Sequence, residues 1–135
     1  MAISQSMRYA PVLVEKVVSL AASSGTAVGI AVPAGTTVLA AGFQNFTVVP
    51  DVATYTLDVT DGTTVFANDL NFDNTAANTN KGGVTPGFIA AADTIDVVTT
   101  ISGSPGVITG RVWAVVVDCS KSVEAASDVD RDQLA

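Results

Sequence analysis

The sequence predicts an all-β fold, an antiparallel β-sandwich or jelly-roll-like small barrel, with an extended N-terminal arm and a C-terminal tail. Three observations carry this. β-Branched residues fall in short runs broken by Gly, Pro, Asn, Asp and Ser, the pattern of strands and turns. Helical periodicity is nearly absent. The runs recur about every 8 to 12 residues with no helical segment between them, the spacing of sandwiches and barrels.

The first run, residues 12–22, places Val14, Val17 and Val18 at helical offsets, but it is Val-rich and follows Pro11, so it reads as an edge strand. Residues 26–32 form the next strand and Pro33-Ala34-Gly35 a turn. A long strand over 37–49 follows, with Leu39, Ala41 and Phe43 on its bulky face and a bulge near Gly42. Residues 53–60 alternate cleanly, with Tyr55, Leu57 and Val59 against Thr54, Thr56 and Asp58. Asp61-Gly62 then turns the chain into 63–67, the strongest hairpin signal present.

Residues 68–87 are rich in Asn, Asp, Thr and Gly, which favour local side-chain-to-backbone turns, and are expected to be a long surface loop. A short strand is expected at 88–91 and a clear one at 94–101, where Ile95, Val97 and Thr99 alternate with Asp96, Val98 and Thr100. After the Ser102-Gly103-Ser104-Pro105-Gly106 turn, residues 107–119 are apolar on both faces near their middle, which predicts a central strand. The chain thus divides into an N-terminal arm or edge strand (1–24), a sandwich core (25–120) and an acidic C-terminal tail (121–135).

Bulk properties narrow the function. A chain of 135 residues closes one hydrophobic core without staples. It is 48% hydrophobic and only 14% charged, so some apolar surface is expected to meet a partner protein. With a net charge of −7 and its six basic residues scattered, it has no patch that could neutralise phosphates, and no nucleic acid is expected as a partner. No apolar h-region and no long apolar run occur, so neither a signal peptide nor a membrane span is expected.

Catalytic machinery is hard to assemble from these residues. There is no histidine, the commonest general base and metal ligand. The lone Cys119 ends a Val-rich strand and reads as a buried structural thiol. Asp93 with Asp96, and Asp58 with Asp61, could make acid–base pairs, but each brackets a strand end where Asp caps backbone. Asp128, Asp130 and Asp132 imitate the start of a calcium loop, yet Gln133 stands where that loop needs Gly. The Asn68, Asp69, Asn71, Asp73 and Asn74 cluster is oxygen-rich but reads as turns. Lys81-Gly82-Gly83 lacks the strand-to-helix setting of a phosphate cradle and reads as a loop tip. Asn45-Phe46-Thr47 matches a glycosylation sequon, without consequence where no signal peptide is read. No enzyme, metal or cofactor is expected. The few aromatics form no stacking platform in the sequence and most are expected in the core, with Phe72 and Phe88 expected to face a partner.

The run from Val32-Pro33-Ala34-Gly35 through Gly42-Phe43, the segment Ala92-Asp93-Thr94-Ile95-Asp96-Val97, and the closing strand with Gly110-Arg111-Val112-Trp113-Ala114 resemble small structural proteins of tailed bacteriophages. They resemble in particular the cement or decoration proteins on capsids of phages from aquatic bacteria. The resemblance is one of pattern over residues 28–118. It implies a trimeric β-sandwich on the virion capsid surface that clamps neighbouring major capsid proteins, with Ile3, Met7, Tyr9, Val12, Val14, Phe72 and Phe88 as expected partner-binding residues. Residues 3–18 would add to a neighbouring sheet edge or lie in a groove, and the core would fold without them. A tail, fibre or spike component and a free-standing ligand- or carbohydrate-binding sandwich, using the 68–87 loop, are the alternatives.

Overall fold

The computed structural model describes residues 10–118. Ile3, Met7 and Tyr9, Cys119 and the acidic tail therefore lie outside the described residues. Among the described residues there are nine strands and no helix: β1 (Val12–Leu20), β2 (Gly25–Val32), β3 (Thr36–Asn45), β4 (Thr54–Thr60), β5 (Val65–Asn71), β6 (Asn80–Gly83), β7 (Gly87–Ile89), β8 (Asp93–Ser102) and β9 (Ile108–Asp118). They make two antiparallel sheets packed as a sandwich. One has the order β1-β9-β3-β6, with β7 also on β3, and the other the order β2-β8-β4-β5.

The inner faces follow from period-2 alternation. β4 and β8 send Tyr55, Leu57 and Val59, and Ile95 and Val97, inward, where they meet Phe43, Val112, Ala114 and Val116 from the opposite sheet. Burying each large side chain contributes roughly 1.5–3 kcal/mol against chain entropy. β9 lies between β1 and β3, the central position its two-sided apolarity predicts. The β4–β5 hairpin also forms as expected. In its turn Gly62 takes a left-handed φ of 92°, and Asp61 Oδ1 accepts the Thr63 and Thr64 N–H groups at 2.9 and 2.7 Å.

Three expectations are corrected. The bulge of β3 lies between Val38 and Ala40 rather than near Gly42, so the inward set is Val38, Ala41 and Phe43, and Leu39 faces out. Residues 68–87 are not one loop. β5 runs on to Asn71, and β6 and β7 both pair with β3, so Lys81-Gly82-Gly83 is a strand rather than a loop tip. Finally, β1 is an edge strand, as read, but it is built into the core. It pairs with β9 in unbroken register from Val12↔Val116 to Leu20↔Ile108 and buries Val18 and Leu20. A core that folds without residues 3–18 is incompatible with that ladder.

Asn71, Asp73, Thr75 and Thr79 bond backbone through their side chains. Asn71 Oδ1 accepts the Asp73 N–H at 2.9 Å, and Asp73 Oδ1 accepts the Val52 N–H at 2.7 Å. Asn45, wholly buried at the end of β3, ties this segment down. Its Nδ2 donates to the Thr47 and Ala76 carbonyls at 2.8 and 2.9 Å, and its Oδ1 accepts the Thr79 N–H at 2.9 Å. The amide of the sequon is thus a structural hub.

Candidate binding surface

The two outer faces of the sandwich differ in chemistry. On the four-stranded sheet the outward positions of β4 and β8 are Thr54, Thr56 and Asp58, paired with Ser102, Thr100 and Val98, followed by Asp96 opposite Thr60. Its carboxylates serve the backbone: Asp58 Oδ1 accepts the Asp69 N–H at 2.7 Å, and Asp96 Oδ1 accepts the Gly29 N–H at 3.1 Å. Asp93 Oδ1 likewise accepts the Thr94 N–H at 2.8 Å. These pairings support capping over acid–base work. Among the described residues no group of three or more His, Cys, Asp or Glu side chains could hold a metal ion.

On the five-stranded sheet the outward residues sort into rows across the strands. Nearest the chain termini, Val117 pairs with Thr37 and Thr37 with Phe88. The next row is Leu13, Val115 and Ala40, with the bulged Leu39 beside it. This end is apolar and open to solvent: Leu13 is 62% exposed, Phe88 60% and Leu39 37%.

The following two rows change character. Glu15, Trp113, Gly42 and Gly82 lie in one, and Val17, Arg111, Gln44 and Asn80 in the other. The Trp113 ring lies against the bare backbone of Gly42 and Gly82. A Cβ at either glycine would overlap its six-membered ring, so glycine is required there for close approach. The indole Nε1 donates to Asn80 Oδ1 at 2.7 Å. Arg111 Nε and Nη2 both donate to Gln44 Oε1, at 2.9 and 2.6 Å, and Nη1 donates to Glu15 Oε2 at 3.0 Å. The guanidinium also sits 6.0 Å from the Phe46 ring centroid. Leu13, Glu15, Gln44, Asn80, Arg111 and Trp113 together line a shallow groove of about 220 Å³.

The residues expected to meet a partner separate accordingly. Phe88 is exposed at the apolar end, and Val12, half exposed, lies opposite Val116 at the same end of the sheet. Val14 turns inward and packs against the core. Phe72 is a correction: it is fully buried, edge-on to Phe43 with ring centroids 5.6 Å apart, and is covered by Lys81, whose Nζ lies 5.4 Å from the ring centre and donates to the Asn71 carbonyl. It lies where β5 ends rather than in a loop, which is why it points into the sandwich.

Trp113, the side chain that sequence reasoning did not single out, is the aromatic centre of the face. Its outward alternation on β9 was readable, but the two glycines that seat it come from β3 and β6, and nothing in the sequence announces that pairing. No protein-family model matches the chain, and no curated protein matches it.

Proposed function

We propose that this chain is a structural, non-catalytic virion protein: a decoration or cement protein on the outside of a bacteriophage capsid, where homotrimers clamp neighbouring major capsid proteins. The carrying observation is the contrast between the exposed apolar end of the five-stranded sheet, with Leu13, Leu39 and Phe88, and the Thr- and Asp-lined face opposite. The four-stranded sheet also exposes Val28 and Val65, but these stand on its outer strands β2 and β5, whereas Leu13, Leu39 and Phe88 gather at one end of the five-stranded sheet and give it a place to dock. The phage assignment rests on the resemblance of residues 28–118. Because residues 12–20 belong to this chain's own sheet, only the part before β1 is left to reach a neighbour as an arm.

The test is the copy number of this chain, relative to the most abundant shell protein, in density-banded particles by quantitative mass spectrometry. A ratio within a few-fold of the shell protein is expected. A few copies per particle would place the chain in a tail or fibre, and its absence would leave a free-standing binding module. Removing residues 1–10, which spares β1, is expected to abolish particle binding while the core folds; normal binding by that truncation would dispose of the arm.

A further inference from the structure

We infer that Trp113 and the side chains around it form a binding site for a neutral saccharide, with one pyranose ring stacked on the indole. This goes beyond the docking role above and does not rest on it, because the site is built on the Trp113 and Arg111 rows and shares only Leu13 with the apolar end.

The first ground is the way the ring is held. A tryptophan used for packing is normally covered, yet here one ring face lies on the Gly42 and Gly82 backbones at the outside of the sheet, and the residue stays part-exposed. The surface the ring keeps open to solvent lines the groove. The ring's orientation is fixed in advance by the hydrogen bond from Nε1 to Asn80 Oδ1. The negative face of an aromatic ring attracts the weakly positive axial C–H groups of a sugar, and a ring already immobilised loses little entropy on stacking.

The second ground is the rim. Sugar hydroxyls are donors and acceptors at once, so a site for them offers both in fixed directions. Gln44 and Asn80 have their carbonyl oxygens taken by Arg111 and Trp113, which fixes each amide orientation. Among the described residues nothing takes the amide N–H groups of either, and Glu15 engages Arg111 through only one of its two oxygens. Donors from Gln44 and Asn80 thus stand on one side of the indole and an acceptor from Glu15 on the other. The groove, at about 220 Å³, is open and shallow, suited to a segment of a chain lying along the surface.

Charge selects the class. The Arg111 guanidinium is matched by Glu15 at 3.0 Å, and the chain carries a net charge of −7, so an anionic polysaccharide meets no free cation among the described residues of the groove and is repelled at long range. A neutral glycan meets neither obstacle.

The chain contains a single tryptophan, so intrinsic fluorescence reads this site alone. The full-length protein would be titrated with neutral glucans, mannans and galactans, with alginate as the anionic control, and run in parallel on gels containing each polysaccharide. The expected result is a saturable emission shift and retarded migration with at least one neutral glycan, insensitive to salt and absent with alginate. Gln44→Ala is expected to weaken binding at least fivefold with an unchanged melting curve, and Trp113→Ala to abolish retardation. Failure of every neutral glycan at millimolar sugar would overturn the site. So would retardation that survives Trp113→Ala, binding to alginate alone, or an emission shift produced by protein concentration without any glycan, which would put a second copy of the chain on the indole.

Discussion

At the scale of single residues, two buried polar side chains have opposite standing. Asn45 makes three side-chain hydrogen bonds that hold residues 76–79 against the end of β3. Asn45→Ala leaves two carbonyls and one N–H without those partners, and is expected to cost about 2–4 kcal/mol in urea unfolding. Tyr55 has no such support. Its hydroxyl is buried without a hydrogen-bond partner among the described residues, and burial pushes its pKa from 10.0 up to about 12. The unfolded chain releases this proton at lower pH than the folded one. Stability is therefore whole below pH 10 and falls as pH rises towards 12, by roughly 2–3 kcal/mol from this group. Tyr55→Phe is expected to flatten that alkaline decline and to leave the melting temperature at pH 7 equal or higher; an unchanged alkaline slope would exclude Tyr55 as its source. Tyr55 was legible as a core residue from the alternation of 53–60. Asn45 was legible only as a sequon, because two of its three partners lie some thirty residues on, in a segment whose composition reads as loop.

At the scale of elements, legibility followed the regularity of the alternation. The segments that became β4 and β8 carry unbroken period-2 patterns and that of β9 is apolar on both faces, and each lies where its pattern puts it. β3 misled because one extra residue, Leu39, reverses the phase for everything before it. β6 has the sequence Asn80-Lys81-Gly82-Gly83 and no intrinsic strand preference; it is a strand because β3 offers an edge, and because glycine there makes room for the indole. Gly82→Ala tests that dependence. It is expected to lift the Trp113 ring, red-shift its emission and lower stability by about 1–3 kcal/mol, an overpacking cost. β1 makes the complementary case: Val18→Asp places a charge among buried apolar side chains and is expected to unfold the domain, whereas Val17→Asp, one residue away on the outer face, is expected to change the urea midpoint little.

At the scale of the whole molecule, the feature that matters is the difference between the faces. The sequence carries it as a composition too apolar for a chain of this charge, but which face is bare depends on the register of five strands. The apolar end is assembled from residues as far apart as Leu13, Leu39, Phe88 and Val115, which no local window brings together. The double variant Leu13→Ser with Phe88→Ser is expected to reduce recovery on particles at least tenfold in a co-sedimentation assay while leaving the melting temperature within a few degrees, since neither side chain enters the core. Retained binding would move the docking surface elsewhere.

The pairing of β1 with β9 also fixes how the fold responds to mechanical load. The two strands are antiparallel neighbours, and Val12 lies opposite Val116, so the two ends of the described chain leave from the same end of the same sheet, on adjacent strands. Tension applied through those ends would part the ladder one residue pair at a time, as a zipper opens, instead of shearing all nine pairs together. Fastened by its terminal segments alone, the molecule would yield at β1 under modest force. Fastened by its sheet face, it would distribute the same load over every strand, so in the proposed capsid role the flat side is expected to bear tension and the terminal segment to attach without bearing it.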